Sequence, residues 1–248
     1  MNLLVLMAGS SQSFYDVGYK YPKPLIEVNG EMIVNKVVLN LKPLFEICNK
    51  VIFIIKKEDN KIFHLTNIIK LLIPNATVIE LEKETAGAAC SALLALEYIS
   101  LSEPLIITNG DHIIDKNLKD ITLKLQDNKT DGGVLIFNSV HPRWSYVKLS
   151  EDESVLEASE KLPISNNATA GFYYFKESGD FSKYTQRMIL KGAHVNGAYY
   201  ICPVFNEMIL DHKEIGSLKI DSSHYHSLMS PELVEEYKKY IEADTNEV

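Results

Sequence analysis

A doubly wound α/β fold on a mixed, mostly parallel sheet, with a β-rich second half, is what this sequence predicts. Two observations carry that expectation. As far as Asp111, short continuous apolar runs alternate with amphipathic segments; such runs are strands covered on both faces, as in parallel sheets. After Asp111 the pattern changes to paired strand-like runs joined by polar turns, which is hairpin patterning.

The first strand is expected at Leu3–Met7, followed by the small-residue loop Gly9–Ser13 and then "KYPKPLIEVNG". A helix is expected over Met32–Leu44, where Ile33, Val37, Val38 and Leu41 form one apolar stripe. Strand Val51–Ile55 comes next, then a helix over Lys61–Leu72 with Ile62, Leu65, Ile68, Ile69 and Leu72 on its stripe. Strand Thr77–Glu80, a helix over Thr85–Ile99 that starts polar and glycine-containing, and strand Leu105–Thr108 complete a β-α-β-α-β-α-β series. Beyond it, "GGVLIFNSVHPRWSYVKLSEDESVLEAS" reads as a hairpin system with a strand at Gly133–Phe137 and a polar "SEDES" turn. A strand at Gly171–Phe175 and a helix at Phe181–Leu190 follow. Ser230 ahead of Glu232 and an amphipathic run marks a capped C-terminal helix that frays into the acidic tail. No repeat, low-complexity segment or linker interrupts the chain, so one domain is expected over 1–248, with halves 1–115 and 116–248.

Composition excludes several classes. The 248 residues, 46% hydrophobic and 23% charged, suit a globular α/β domain. No apolar run approaches the roughly 20 residues that span a bilayer, and "MNLLV" lacks a basic n-region and a cleavage site, so neither membrane nor signal peptide is expected. Cys48, Cys90 and Cys202 are widely spaced, which suits reduced thiols in a cytoplasm. A net charge of -8 argues against nucleic acid as a partner, since phosphate backbones reward basic surfaces.

Five motifs could carry chemistry, and each also has an ordinary structural explanation. Gly9–Ser13 follows a strand, where successive amides make an anion nest or merely a connection. Lys23 stands between Pro22 and Pro24, which should hold it extended; a lysine so fixed suits phosphate oxygens, unless it is a solvated turn residue. Asp111 in "IITNGDHII" falls past the carboxyl end of a strand, the edge where α/β sheets bind ligands. A carboxylate there can hold Mg²⁺, though Asn-Gly-Asp is also an ordinary turn. His112 beside it reads as a hydrogen-bonded loop residue. Thr85, Ala86, Gly87 and Ala88 open a helix with small residues, which admits a flat ring or a phosphate or else close packing. Glu160 and Lys161 in "EASEKLP" follow a strand, and Tyr146 in "WSYVKL" can bind or pack. Trp144, Tyr173 and Tyr174 read as core or rim aromatics.

In this order the motifs resemble the sugar-phosphate nucleotidyltransferase (pyrophosphorylase) family. Its opening pattern is a strand, a Gly-rich loop, Pro-Lys-Pro-Leu and a glycine, here "LMAGSSQSFYDVGYKYPKPLIEVNG"; Gly87, Gly110–Asp111 and "EKLP" follow in order, and the resemblance reaches about Pro231. It is strongest to the small branch of capsule and surface-polysaccharide clusters, which includes cytidylyltransferases. The resemblance implies a Rossmann-like, glycosyltransferase-A-like nucleotidyltransferase fold. It also implies that the phosphate of an acceptor attacks the α-phosphorus of an NTP, with CTP expected, and expels pyrophosphate. Ala8, Gly9, Ser10 and Ser11 would then lie along the nucleotide with Thr85, Gly87 and Ala88, and Lys23 would meet its phosphates. Asp111 would ligate Mg²⁺. On the acceptor side stand Tyr146, Glu160, Lys161 and Gly171, with Lys161 on the acceptor phosphate; Lys23, Asp111 and Lys161 are the catalytic candidates. The expected partners are an NTP and a phosphorylated small molecule, with a homo-oligomer left open.

Two positions depart from the family pattern. Ser13 stands at the usual loop arginine, with Ser11 at a usual glycine, and Ser227 stands near the usual second metal aspartate, with Asp221 close in sequence. Two other readings therefore stay open. One is a nucleotide-sugar-dependent glycosyltransferase, which Asp111-His112-Ile113 disfavours by lacking a D-x-D. The other is a catalytically silent nucleotide-binding protein.

Overall fold

The computed structural model describes residues 1–127 and 129–246. In chain order it comprises β1 (Asn2–Leu6), α1 (Gln12–Asp16), a 3-10 turn at Lys23–Leu25, β2 (Glu27–Val28), β3 (Glu31–Met32), α2 (Ile33–Leu41), β4 (Lys50–Lys56), α3 (Lys57–Phe63), α4 (Leu65–Leu72), β5 (Thr77–Leu81), α5 (Ala88–Leu93) and β6 (Leu105–Asn109). Then follow β7 (His112–Ile114), α6 (Leu118–Asp127), β8 (Gly132–Asn138), β9 (Ser145–Leu149), β10 (Val155–Glu160), β11 (Asn167–Phe175), α7 (Ser178–Leu190), α8 (Val204–Ile209), β12 (Ile215–Lys219), β13 (Tyr225–Ser227) and α9 (Pro231–Asn246).

A nine-stranded mixed sheet joins the two halves of the chain. Its order is β10-β9-β11-β6-β1-β4-β5, with β8 on β11 and β12 on β8. β6, β1, β4 and β5 are mutually parallel, and β11 runs antiparallel to β6. Side chains alternate along each strand, so both faces need cover. Leu3, Val5, Phe53 and Ile106 pack on one face against α2, α4, α6 and α9. Leu4, Ile52, Ile54 and Ile107 pack on the other against α5, α7 and α8. That two-sided burial explains the continuous apolar runs.

Helices depart from expectation more than strands do. The expected Lys61–Leu72 helix is two helices, α3 and α4, broken at His64 in a left-handed conformation (φ 55°); the Asn60 side chain accepts the Thr66 N–H across the break. Pro43 removes an amide, and α2 gives way to a 3-10 segment at Lys42–Glu46. The third helix begins at Ala88 instead of Thr85 and lasts six residues. Within the loop after β1, α1 forms around Phe14, which is fully buried. The fraying expected at the end of α9 falls on Glu247 and Val248, outside the described residues. No helix among the described residues is long and apolar enough to cross a membrane.

Two irregularities shape one end of the sheet. β11 shifts register between Thr169 and Tyr173: its first part touches β9 through Ala168–Tyr146, and its second part pairs with β6. Gly171 sits in the shift at φ 65°, and a Cβ there would lie 2.5 Å from Asn109 Nδ2. The strand therefore bends where only glycine is unstrained. Separately, β7 and β13 form a two-stranded ribbon that sets Ser227 opposite His112. At its far end Asp115 Oδ2 lies 2.8 Å from His226 Nε2 and accepts the Tyr240 hydroxyl at 3.1 Å.

Candidate functional site

A cleft of about 760 Å³ opens over the carboxyl ends of β1 and β6, the side of an α/β sheet where ligands bind. Ala8, Gly9 and Ser10 line it after β1, Thr85, Gly87 and Ala88 after β5, and Asp111 after β6. Lys161, Glu160 and Gly171 line it from the second half.

Lys23 lies at its floor. Instead of the extended form expected between two prolines, it opens a 3-10 turn, with the Leu25 amide donating to Pro22 O at 2.8 Å. Its own amide donates to Ser11 Oγ at 2.9 Å. Ser11 is buried and does not line the cleft; it ties the Lys23 turn to the loop after β1. The ammonium, on a residue only 7% exposed, meets Asp111 Oδ2 at 2.6 Å. Burial pushes the Asp111 carboxyl up, but the charge and hydrogen bond of Lys23 outweigh it and hold the group below the ordinary range. Asp111 is therefore an anion at neutral pH. His112 belongs to β7 rather than a loop, with Nε2 3.1 Å from Thr108 Oγ1. Burial drops its pKa to about 4, so the ring is neutral.

Gly87 makes the closest backbone approach in the cleft. At φ 115°, a Cβ on it would lie 2.6 Å from Tyr199 N and nearer still to Tyr199 O. The Tyr199 amide donates to Ala86 O at 2.8 Å, and the Ala89 amide donates to Tyr199 O at 3.0 Å. Thr85 turns inward, its hydroxyl donating to Gly87 O at 2.9 Å. The loop that opens α5 is thus pinned to a segment more than a hundred residues away.

Glu160 and Lys161 are consecutive and both line the cleft, although neighbours on an extended strand face opposite ways. Lys161 achieves this with φ 57°, a conformation that costs a non-glycine residue on the order of 1 kcal/mol. Its ammonium donates to the Tyr200 hydroxyl at 2.8 Å. Burial pushes the Glu160 carboxyl up, against the Ser145 hydroxyl bonded to it and the charge of Lys161.

Other expected residues lie elsewhere. Tyr146 does not line the cleft: it is fully buried, and its hydroxyl donates to His141 O at 2.6 Å. Ser13 is exposed on α1, outside the lining. Asp221 caps a 3-10 turn by accepting from Ser223, also away from the cleft, so it does not stand in for an acid at Ser227. Ser227 lines the cleft beside Asp111, and the Leu228 amide donates to Asp111 O at 2.7 Å. Trp144 and Tyr173 line the cleft, whereas Tyr174 is core. Sequence reasoning missed Asn109, Arg143, Ser145, Thr169 and Tyr200. Of these, Asn109 opens the Asn-Gly-Asp turn and Tyr200 follows an Asn-Gly turn, while Arg143, Ser145 and Thr169 had no local signal.

The donor set fits one kind of metal. Mg²⁺ takes one or two carboxylates and completes its shell with water and substrate phosphates. Asp111 offers one carboxylate, with the Ser227 hydroxyl on the next strand. Among the described residues no group of three or more His, Cys, Asp or Glu forms a cage. This suits a cation that arrives on phosphates, not one held by protein alone.

The family model for nucleotidyl transferases matches residues 3–191. The "Bifunctional protein GlmU" of Methanococcus aeolicus is 26% identical over 188 residues, 71% of this chain and 40% of its own length; the chain thus spans less than half of that relative. The nucleoside-diphosphate-sugar pyrophosphorylase from Vibrio cholerae RC9 superposes with a TM-score of 0.84 at 23% identity, over 96% of this chain and 99% of that one. The inositol-1-phosphate CTP transferase from T. maritima gives 0.71 at 15% identity, over 96% of each chain. The fold is shared with both.

Proposed function

The chain belongs to the nucleotidyl transferase family, and from that premise we propose that it joins an NTP to a phosphorylated small molecule, releasing pyrophosphate. The observation that carries this reading is that one cleft holds the Lys23–Asp111 pair and, from the other half of the chain, Lys161. One end of the cleft takes the nucleotide and the other the acceptor, which divides the chain into halves 1–115 and 116–248.

In the proposed reaction an acceptor phosphate oxygen bonds to the α-phosphorus while the α–β bridging bond breaks and pyrophosphate leaves. Positioning and charge neutralisation supply most of such a rate. Lys23, set by Ser11, meets the nucleotide phosphates. Lys161, set by its left-handed backbone and Tyr200, holds the acceptor phosphate, with Glu160 beside it. Gly87 leaves room for the base along the loop it pins. Asp111 would hold Mg²⁺, which when bound neutralises and orients NTP phosphates. That the nucleotide is CTP and that the product feeds surface-polysaccharide synthesis rest on the branch resemblance described above, and a place in the cytoplasm rests on the cysteine spacing.

Lys161→Ala is expected to raise the acceptor KM or lower kcat at least tenfold, with NTP affinity measured without acceptor changed less than twofold. A lysine stabilises the phosphate it touches and is screened by salt from one about 10 Å away. Steady-state kinetics and calorimetry separate the two effects. Loss of NTP affinity alone would reverse the assignment of the two ends.

A further inference from the structure

We propose that Arg143 forms an anion subsite at the acceptor end of the cleft, so that the acceptor carries a second anionic group besides the phosphate it transfers. The proposal rests on the nucleotidyl-transfer reading above. Arg143 lines the same cleft as Lys161, and the backbone fixes their relation. Ser145 pairs with Glu160 at the end of the β9–β10 hairpin, and the Lys161 amide donates to Trp144 O at 3.0 Å. Arg143 is thus one residue beyond Trp144, the partner of Lys161. Both cations line this end of the cleft.

Their partners distinguish them from Lys23 and Lys56, two other cations that line the cleft. Lys23 is paired with Asp111 at 2.6 Å and Lys56 with Glu84 at 2.8 Å. Lys161 instead meets a hydroxyl, at Tyr200. Arg143 meets an imidazole and an indole: Nε donates to His141 Nδ1 at 3.0 Å, Nη2 lies 3.0 Å from His141 Nε2, and the guanidinium lies 5.6 Å from the Trp144 ring centroid. The acid that feels its charge is Glu232, on the exposed first turn of α9 and hydrogen-bonded to Ser230. Among the described residues, no carboxylate is within ion-pair distance of Arg143, and its Nη1 makes no hydrogen bond.

The guanidinium is also preset. Trp144 is held edge-on by Phe137 and Tyr225, at centroid distances of 5.7 and 5.5 Å, and His141 holds Nε. A planar fork fixed in this way suits the paired oxygens of a carboxylate or phosphate, where a lysine offers only a point charge. Lys161 takes the transferred phosphate, and Arg143 takes an anionic group at a distal position of the acceptor.

The test is calorimetric titration of wild type, Arg143→Ala and Arg143→Lys with three probes. These are glucose 1-phosphate, glucuronate 1-phosphate and glucose 1,6-bisphosphate, each with Mg²⁺ and α,β-methylene-CTP, which cannot release pyrophosphate. Wild type is expected to bind at least one doubly anionic probe tenfold or more tighter than glucose 1-phosphate. Whichever of the two is preferred identifies the second group as carboxylate or phosphate. Arg143→Ala should reduce the preference to within about twofold, and Arg143→Lys should restore only part of it; thermal unfolding of both variants checks that they fold. Equal binding of all three by wild type, or a preference that survives Arg143→Ala, overturns the subsite alone. Binding of none also overturns the subsite, whereas the nucleotidyl-transfer reading falls only if no pair of NTP and phosphorylated acceptor releases pyrophosphate.

Discussion

Asp111→Asn is expected to lower turnover at least a hundredfold, about 2.7 kcal/mol of barrier, and to lower thermal stability as well. The first effect follows from charge. An NTP repels an attacking phosphate, and the amide keeps the shape of the carboxylate but neither draws a divalent cation nor orients it. Raised Mg²⁺ should recover activity only partly, and EDTA should stop the wild-type enzyme. The second effect follows from burial. The amide leaves the Lys23 ammonium, on a residue 7% exposed, without its counter-ion, at a cost on the order of 1–3 kcal/mol for a pair that is not wholly desolvated. The two effects separate in a double variant. Lys23→Met with Asp111→Asn should recover much of the melting temperature and none of the turnover. Recovery of both, or wild-type activity in EDTA, would remove the pair from the chemistry.

Gly87→Ala is expected to be the most damaging single-methyl change in the cleft. At φ 115° an alanine is strained before it meets anything, by roughly 1–3 kcal/mol. Its methyl would also press on the Tyr199 backbone, which cannot move without releasing the two hydrogen bonds that pin Ala86 and Ala89. The loop of Thr85 and Ala88 should lift from the Tyr199–Tyr200 segment, which also carries the hydroxyl that meets Lys161. Denaturant unfolding should show at least about 2 kcal/mol of lost stability, and calorimetry at least tenfold weaker NTP binding. An unchanged unfolding midpoint would show that the segment yields freely.

What could be read in the sequence follows from how far apart the interacting parts lie. β1, β4 and β6 were legible because two-sided burial writes itself as a continuous apolar run, and β5, a half-buried edge strand, because of its β-branched residues. Lys23 and Asp111 were legible because each sits in a short motif, Lys23 between two prolines and Asp111 past the end of a strand, although nothing in either motif said that they pair across 88 residues. Tyr146 misled for a related reason. A tyrosine on a half-polar strand can face either way, and the fork of β11 decides it by placing Ala168 against Tyr146. Tyr200 and Arg143 reach the cleft only through the return of the chain after α7 and the turn before β9, which leave little local pattern. Ser11 read as a nucleotide contact because its neighbours are small, but its hydroxyl serves the Lys23 amide. The helix breaks at His64 and at Lys42–Glu46 were hidden because a stripe of apolar residues continues across them.

Pyrophosphate release tests the central claim most directly. The chain, with Mg²⁺, should be offered each of the four NTPs against a panel of phosphorylated sugars, polyols and amino acids. The expected result is acceptor-dependent release of pyrophosphate with one nucleotide strongly preferred, matched mole for mole by a nucleoside diphosphate joined to the acceptor, and lost in Asp111→Asn. Nucleotide binding by calorimetry without pyrophosphate from any pair would contradict it. Ser13 and Ser227, where the family pattern has an arginine and an aspartate, would then mark a protein that holds a nucleotide and transfers nothing.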